Sequence, residues 1–205
     1  MESDKNIINY IDQLPEILDK YGLSPDDICI VGSSVLSAFG LRENHDLDFV
    51  IEPRKRQLLL KQYKDVLKIM SWGLICFNES IEAVYNQYNI IGISDSEIIN
   101  NEKYYILFNG WKIARIELVL ARKAKVRREK DIIDLDNAKE FLLYYSDFDW
   151  DFFRKFLSFS VKPSRFSHYN RLLNKVFVIV KLFILNPKGL FTKVKSVIRN
   201  KIMKN

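Results

Sequence analysis

The stretch that most constrains this chain is Val31-Gly32-Ser33-Ser34 followed, one short helix later, by Asp46-Leu47-Asp48-Phe49-Val50-Ile51. The apolar run 28–31 reads as a buried strand with Gly32-Ser33 as the tight turn at its end. Residues 33–39 suffice for about two helical turns. Gly40 suits a C-terminal stop, and 41–45 form a polar connection into a second strand at 47–51. Period two places Asp46, Asp48 and Val50 on one face of that strand and Leu47, Phe49 and Ile51 on the other.

The remaining pattern predicts an α/β (α+β) domain with a short mixed sheet and flanking helices. Apolar residues at helical spacing give an opening helix over 5–21, with Pro15 as a kink. Pro53 opens a helix running to Met70, a strand follows at 74–77, and a short helix is expected over 80–87. Residues 89–101 carry no clear period. Asn109-Gly110 between two apolar runs predicts a two-residue hairpin with arms 104–108 and 111–120. In the second arm Ile113, Arg115, Glu117 and Val119 share one face. A basic run at 121–129 then leads into a helix over 130–145.

The chain has 205 residues, 48% of them hydrophobic, enough for one sizeable core with a small appendage. Residues 1–150 hold 19 Lys and Arg against 25 Asp and Glu, whereas 151–205 hold 13 against one. The division expected is therefore a catalytic domain over 1–150 and a basic, aromatic-rich helical extension over 151–205. Cys29 and Cys76 lie in apolar runs and read as buried, reduced thiols, which excludes a disulfide framework. No charged-then-apolar leader opens the chain, so the cytoplasm is the expected compartment.

Transfer at phosphorus needs a metal ion bridging phosphate oxygens, oxygen ligands around it and an in-line nucleophile. Two aspartates on one strand face, joined by a carboxylate from a neighbouring strand, meet that requirement for Mg²⁺, or for Mn²⁺ in its place. Asp46, Asp48 and Glu117 form the expected triad. Glu117 has a structural alternative, an ion pair with Arg115 or Lys112. Gly32 lets backbone approach phosphate closely, while Ser33 and the following helix start offer donors. Arg42, in the loop over the metal site, and Lys125, Arg128 and Lys130 are candidate partners of donor phosphates. A solvated basic helix face accounts for the last three equally well.

Gly32, Ser33, Asp46 and Asp48, with Glu117 in the place of a third carboxylate, resemble the nucleotidyltransferase-fold superfamily typified by DNA polymerase β and the minimal nucleotidyltransferases. Lys125, Arg128, Lys130, Asp131 and Asp134 are similar to its basic-then-Lys-Asp helix start, so the resemblance spans about residues 28–143. It implies that the Gly-Ser turn holds donor phosphate and that the carboxylates bind magnesium. Two branches fit: LicD-type phosphotransferases acting in surface-polysaccharide biosynthesis, and minimal nucleotidyltransferases, including those of toxin-antitoxin type. The expected function is Mg²⁺-dependent nucleotidyl or phospho-substituent transfer from a nucleotide donor to a small-molecule or glycan acceptor. The alternative is a non-catalytic module that senses nucleotide or serves as a scaffold.

The tail 166–205 reads as two helices separated by Asn186-Pro187-Lys188-Gly189. The first is interrupted by lysines and falls short of the roughly 20 apolar residues a spanning helix requires. A cationic amphipathic pair suits an anionic membrane surface at the inner face. Packing on the catalytic domain or on a protein partner is an equal alternative. Nucleic acid fits less well, because the aromatic residues fall at helical core spacing rather than on an exposed stacking platform.

Overall fold

The computed structural model describes residues 8–70 and 73–159. The chain divides after residue 161 into two units, and every described residue belongs to the first. The helices expected in the tail, and the roles assigned to it, lie outside the described residues.

The first unit is built on a mixed seven-stranded sheet, so the α+β expectation holds. Its strands are β1 (Ile28–Val31), β2 (Leu47–Ile51), β3 (Lys68–Ile69), β4 (Ile75–Cys76), β5 (Ile81–Val84), β6 (Tyr105–Phe108) and β7 (Trp111–Ala114), in the order β3-β4-β5-β2-β1-β7-β6. β1 and β2 pair antiparallel, while β5 joins β2 and β7 joins β1 in parallel. The helices are α1 (Leu14–Lys20), α2 (Ser33–Ala38), α3 (Pro53–Tyr63), α4 (Asp95–Asn100), α5 (Ile116–Val126), α6 (Glu129–Tyr144) and α7 (Trp150–Ser158).

The central strands are the apolar ones. All four residues of β1 are buried, as are Leu47, Phe49, Val50 and Ile51 of β2. Each fully buried large side chain contributes about 1.5–3 kcal/mol of transfer free energy. Phe49 stacks on Phe77 at 5.5 Å, and Tyr21 presents its edge to Phe77 and to Tyr63 at the end of α3. The Phe49 face of β2 is thus covered by aromatic packing. The alternate face at the start of the strand carries the aspartates.

Several expectations hold. β1, α2, β2 and the hairpin turn stand where the pattern placed them, and Asn109 (φ 49°) and Gly110 (φ 84°) both take the positive φ that a two-residue turn requires. Cys29 is buried and free, and burial pushes its thiol up. Among the described residues no helix is long and apolar enough to cross a membrane.

Five local expectations are corrected. Pro15 lies in the first turn of α1, where a missing N–H costs nothing, so it starts the helix instead of kinking it. The helix from Pro53 ends at Tyr63, and Lys68–Ile69 form an edge strand on β4. Residues 81–84 are not helical: they are β5, with Ile81, Ala83 and Val84 buried against β2. The unassigned region contains α4, started by a reciprocal Ser94–Glu97 capping box. The second hairpin arm stops at Ala114, because the chain turns into α5 at Arg115, whose N–H donates to the Tyr104 carbonyl.

The expected boundary at residue 150 also divides a packed element. Phe152 and Phe156 of α7 pack on Tyr104 with ring centres 5.9 and 6.1 Å away, so α7 belongs to the first unit.

Candidate functional site

Asp46 and Asp48 arrive together at the start of β2, held by a polar scaffold. Ser33, the first residue of α2, donates its hydroxyl to Asp46 Oδ1 at 3.1 Å. Ser34 Oγ and Asn44 Nδ2 both donate to the Asp46 carbonyl, at 3.2 and 2.9 Å. Asn44 is fully buried and exchanges three further hydrogen bonds with Asn9, which tie the loop before β2 to the segment ahead of α1.

Gly32 packs directly on Asp48. A Cβ at position 32 would stand 2.6 Å from Asp48 Oδ2, and the backbone there has φ 71° and ψ −141°. Only glycine accepts both constraints without strain. Its N–H points to Tyr88 Oη at 3.5 Å.

The register of β2 against β5 supplies the third carboxylate. Asp48 pairs with Glu82 across the parallel ladder, and Cys76 of β4 pairs with Glu82 in turn. The Cys76 thiol donates to Glu82 Oε1 at 3.5 Å, and burial together with that carboxylate raises the thiol's pKa. Asp48 is pushed up to about 7, chiefly by burial and then by the charges of Asp46 and Glu82, while Arg122 and Lys130 act against the shift. Asp48 thus stands in the field of two further carboxylates, which disfavours its charged form.

Glu82, and not Glu117, is the carboxylate that a neighbouring strand brings beside Asp48. Glu117 lies in the first turn of α5 rather than on a strand, and it is only 2% exposed. Arg115 grips it through Nη2 and Nε at 2.8 and 3.2 Å, and the Asp149 N–H donates to Oε1 at 2.9 Å. Its oxygens are consumed in joining α5 to the start of α7, which is the ion-pair alternative realised.

The basic residues separate in the same way. Lys130 and Arg128 stand close enough to Asp48 to couple with its charge. Arg128 is anchored by Nε and Nη2 on Asp131, at 2.8 and 3.0 Å. Lys125 does not face the carboxylates: its Nζ donates to the Phe159 carbonyl, and burial lowers its pKa. Arg42 does not lie free over the site either. Its Nη1 pairs with Asp134 at 2.9 Å, and Lys123 binds the same carboxylate at 2.6 Å and Asp131 at 3.3 Å. These buried pairs fasten the loop before β2, α5 and α6 to one another.

Among the described residues, no group of three or more His, Cys, Asp and Glu side chains forms a cage that could hold a metal ion. Mg²⁺ seldom uses such a cage. It keeps several waters and is held by one or two carboxylates together with substrate phosphates.

Glu82, Asn44, Tyr88 and Arg122 were not singled out from sequence. Glu82 had a usable signal, since Ile81-Glu82-Ala83-Val84 alternates like a strand with one acidic member. Arg122 had none, being one of six cations between residues 122 and 130.

No family model, curated protein or solved structure matches the chain.

Proposed function

We propose that this chain is a divalent-cation-dependent transferase acting at phosphorus, of the nucleotidyltransferase type. In this reading it moves a nucleotidyl or phospho-substituent group from a nucleotide donor. The observation that carries the reading is the placement of Glu82 beside Asp48 on the aspartate face of β2. Cations of α5 and α6, Arg122 and Lys130, are near enough to act on the Asp48 charge. Carboxylates with cations close by suit a metal–phosphate ligand, which presents a charge of each sign.

Asp46, Asp48 and Glu82 would hold Mg²⁺, which polarises phosphoryl oxygens and lowers the pKa of an acceptor hydroxyl. Gly32 keeps the turn thin so that Asp48 can stand against it. Ser33 orients Asp46 through its hydroxyl, leaving Asp46 Oδ2 outside that bond. Arg128, held by Asp131, and Lys130 would offset the negative charge of donor phosphates.

A magnesium-dependent thermal-shift screen over nucleoside di- and triphosphates, followed by product analysis, tests the reading. The expected result is stabilisation that requires both metal and nucleotide in the wild type, absent in Asp48→Asn, with turnover on at least one donor. Stabilisation without product would identify a nucleotide-sensing module. Metal-independent behaviour, or full activity in Asp48→Asn, would overturn the proposal.

A further inference from the structure

Two buried arginines, Arg56 and Arg122, pair with no carboxylate among the described residues, and of these Arg122 is the one that bears on the charge of Asp48. Arg122 is 8% exposed. Its neighbour Lys123 is consumed by Asp131 and Asp134. Arg115 is consumed by Glu117 and Arg42 by Asp134.

The side chain is nonetheless fixed in place. Nε donates to the Gln87 carbonyl at 3.3 Å, and the guanidinium lies 5.7 Å from the Tyr88 ring centre. Tyr88 in turn reaches the Gly32 N–H, and Gly32 packs on Asp48. A continuous line of contacts therefore joins Arg122 to the carboxylate site. Of the cations that favour the charged form of Asp48, Arg122 acts most strongly.

With Nε occupied, the two terminal nitrogens have no protein acceptor among the described residues. They are not sealed in either, since the buried side-chain atoms without a partner are Arg56 Nη1 and Asp95 Oδ1. A buried guanidinium with no carboxylate partner is costly, by several kcal/mol. It persists where something else takes the exposed end of the fork, and a planar fork matches two oxygens of a phosphoryl group.

We propose that Arg122 is a substrate-contacting residue that receives phosphoryl oxygens of a di- or triphosphate on its terminal nitrogens, beside the cation held by the three carboxylates. This rests on the transferase reading for the cation, but the anion contact is a separate claim. The compound recognised is one with at least two linked phosphates, one reaching the metal and the next reaching Arg122. Arg128, whose fork is taken by Asp131, and Lys130, which has none, add charge only.

Two titrations of the full-length chain test the proposal: Mn²⁺ alone, followed by electron paramagnetic resonance, and inorganic pyrophosphate with and without Mn²⁺, followed by calorimetry. Wild type, Arg122→Gln and Arg122→Lys are compared. The expected result is unchanged or tighter Mn²⁺ binding in both variants. Pyrophosphate affinity should fall about ten- to a hundredfold in Arg122→Gln, the worth of a charge-assisted hydrogen bond. Arg122→Lys should fall between, because lysine keeps the charge and loses the fork.

If Arg122→Gln does not fold, Arg122→Lys decides: pyrophosphate affinity equal to wild type overturns the proposal. So does a wild type that binds no pyrophosphate. Pyrophosphate binding that depends on Arg122 but not on Mn²⁺ would uphold this inference while removing the metal from the transferase reading. Mn²⁺ binding with pyrophosphate affinity indifferent to Arg122 would do the reverse.

Discussion

Asp48 and Glu82 stand side by side on neighbouring parallel strands, with burial and two like charges pushing Asp48 up to about 7. Such a pair costs the fold stability, a cost that a cation bound as proposed would offset. Four expectations follow from this arrangement and the scaffold around it.

Glu82 and Glu117 should separate cleanly. Glu82→Gln is expected to weaken Mn²⁺ binding at least tenfold with little effect on stability. Glu117→Gln should leave Mn²⁺ binding intact and lower stability by about 1–3 kcal/mol, through the Arg115 pair and the Asp149 N–H. Paired denaturant and Mn²⁺ titrations check both, and loss of metal binding in Glu117→Gln alone would restore the original triad.

Gly32→Ala places a methyl group 2.6 Å from Asp48 Oδ2 on a backbone with φ 71°. Strain of about 1–3 kcal/mol is expected, visible as a lower urea midpoint with an unchanged slope. Because the displaced atom is an Asp48 oxygen, Mn²⁺ affinity should fall as well. An alanine variant matching wild type in both would show that the close approach does not matter.

Stability should depend on pH through Asp48 in a definite direction. Its folded pKa of about 7 exceeds the ordinary carboxylate value, so between about pH 4 and pH 7 the native chain keeps a proton that the unfolded chain has released. Stability therefore falls as pH rises through this window. Asp48→Asn removes that slope, so in metal-free buffer the variant should gain on wild type between pH 4 and pH 8. Asp27, Glu97 and Asp131, whose pKa values are lowered, contribute with the opposite sign in both proteins and cancel in the difference. Parallel melting curves for the two proteins over that range would refute the effect.

Lys123→Met should be severely destabilising. It leaves Asp131 and Asp134 buried with only Arg128 and Arg42 to neutralise them, and breaking a buried pair in this way costs about 3–5 kcal/mol. Thermal denaturation of the variant checks this, and a loss below about 1 kcal/mol would mean that water already reaches the cluster.

The elements legible in sequence were those with strong local instructions. β1, Gly32, β2 and the Asn109-Gly110 turn each carry a pattern or a backbone requirement within a few residues. β5 was misread because Glu82, Ala83 and Gln87 favour helix locally, and only its place between β2 and β4 makes a strand there favourable. Glu117 was misread for the converse reason. Alternation continues past Ala114 in the sequence, but the chain leaves the sheet where the Tyr104 carbonyl takes the Arg115 N–H. The aspartate half of the site is thus written locally, whereas its third carboxylate and Arg122 depend on pairings between distant segments.

The parallel pairing of β2 with β5 also bears on when the site can exist. Gly32, Ser33, Asp46 and Asp48 belong to one continuous β1–α2–β2 unit. Glu82 reaches them only after α3 and the β3–β4 pair have been made. A growing chain on the ribosome would therefore carry both aspartates well before it could hold a cation between strands. On the proposed reading, divalent ion capture would be an event of completed synthesis, marking the chains whose central sheet has closed.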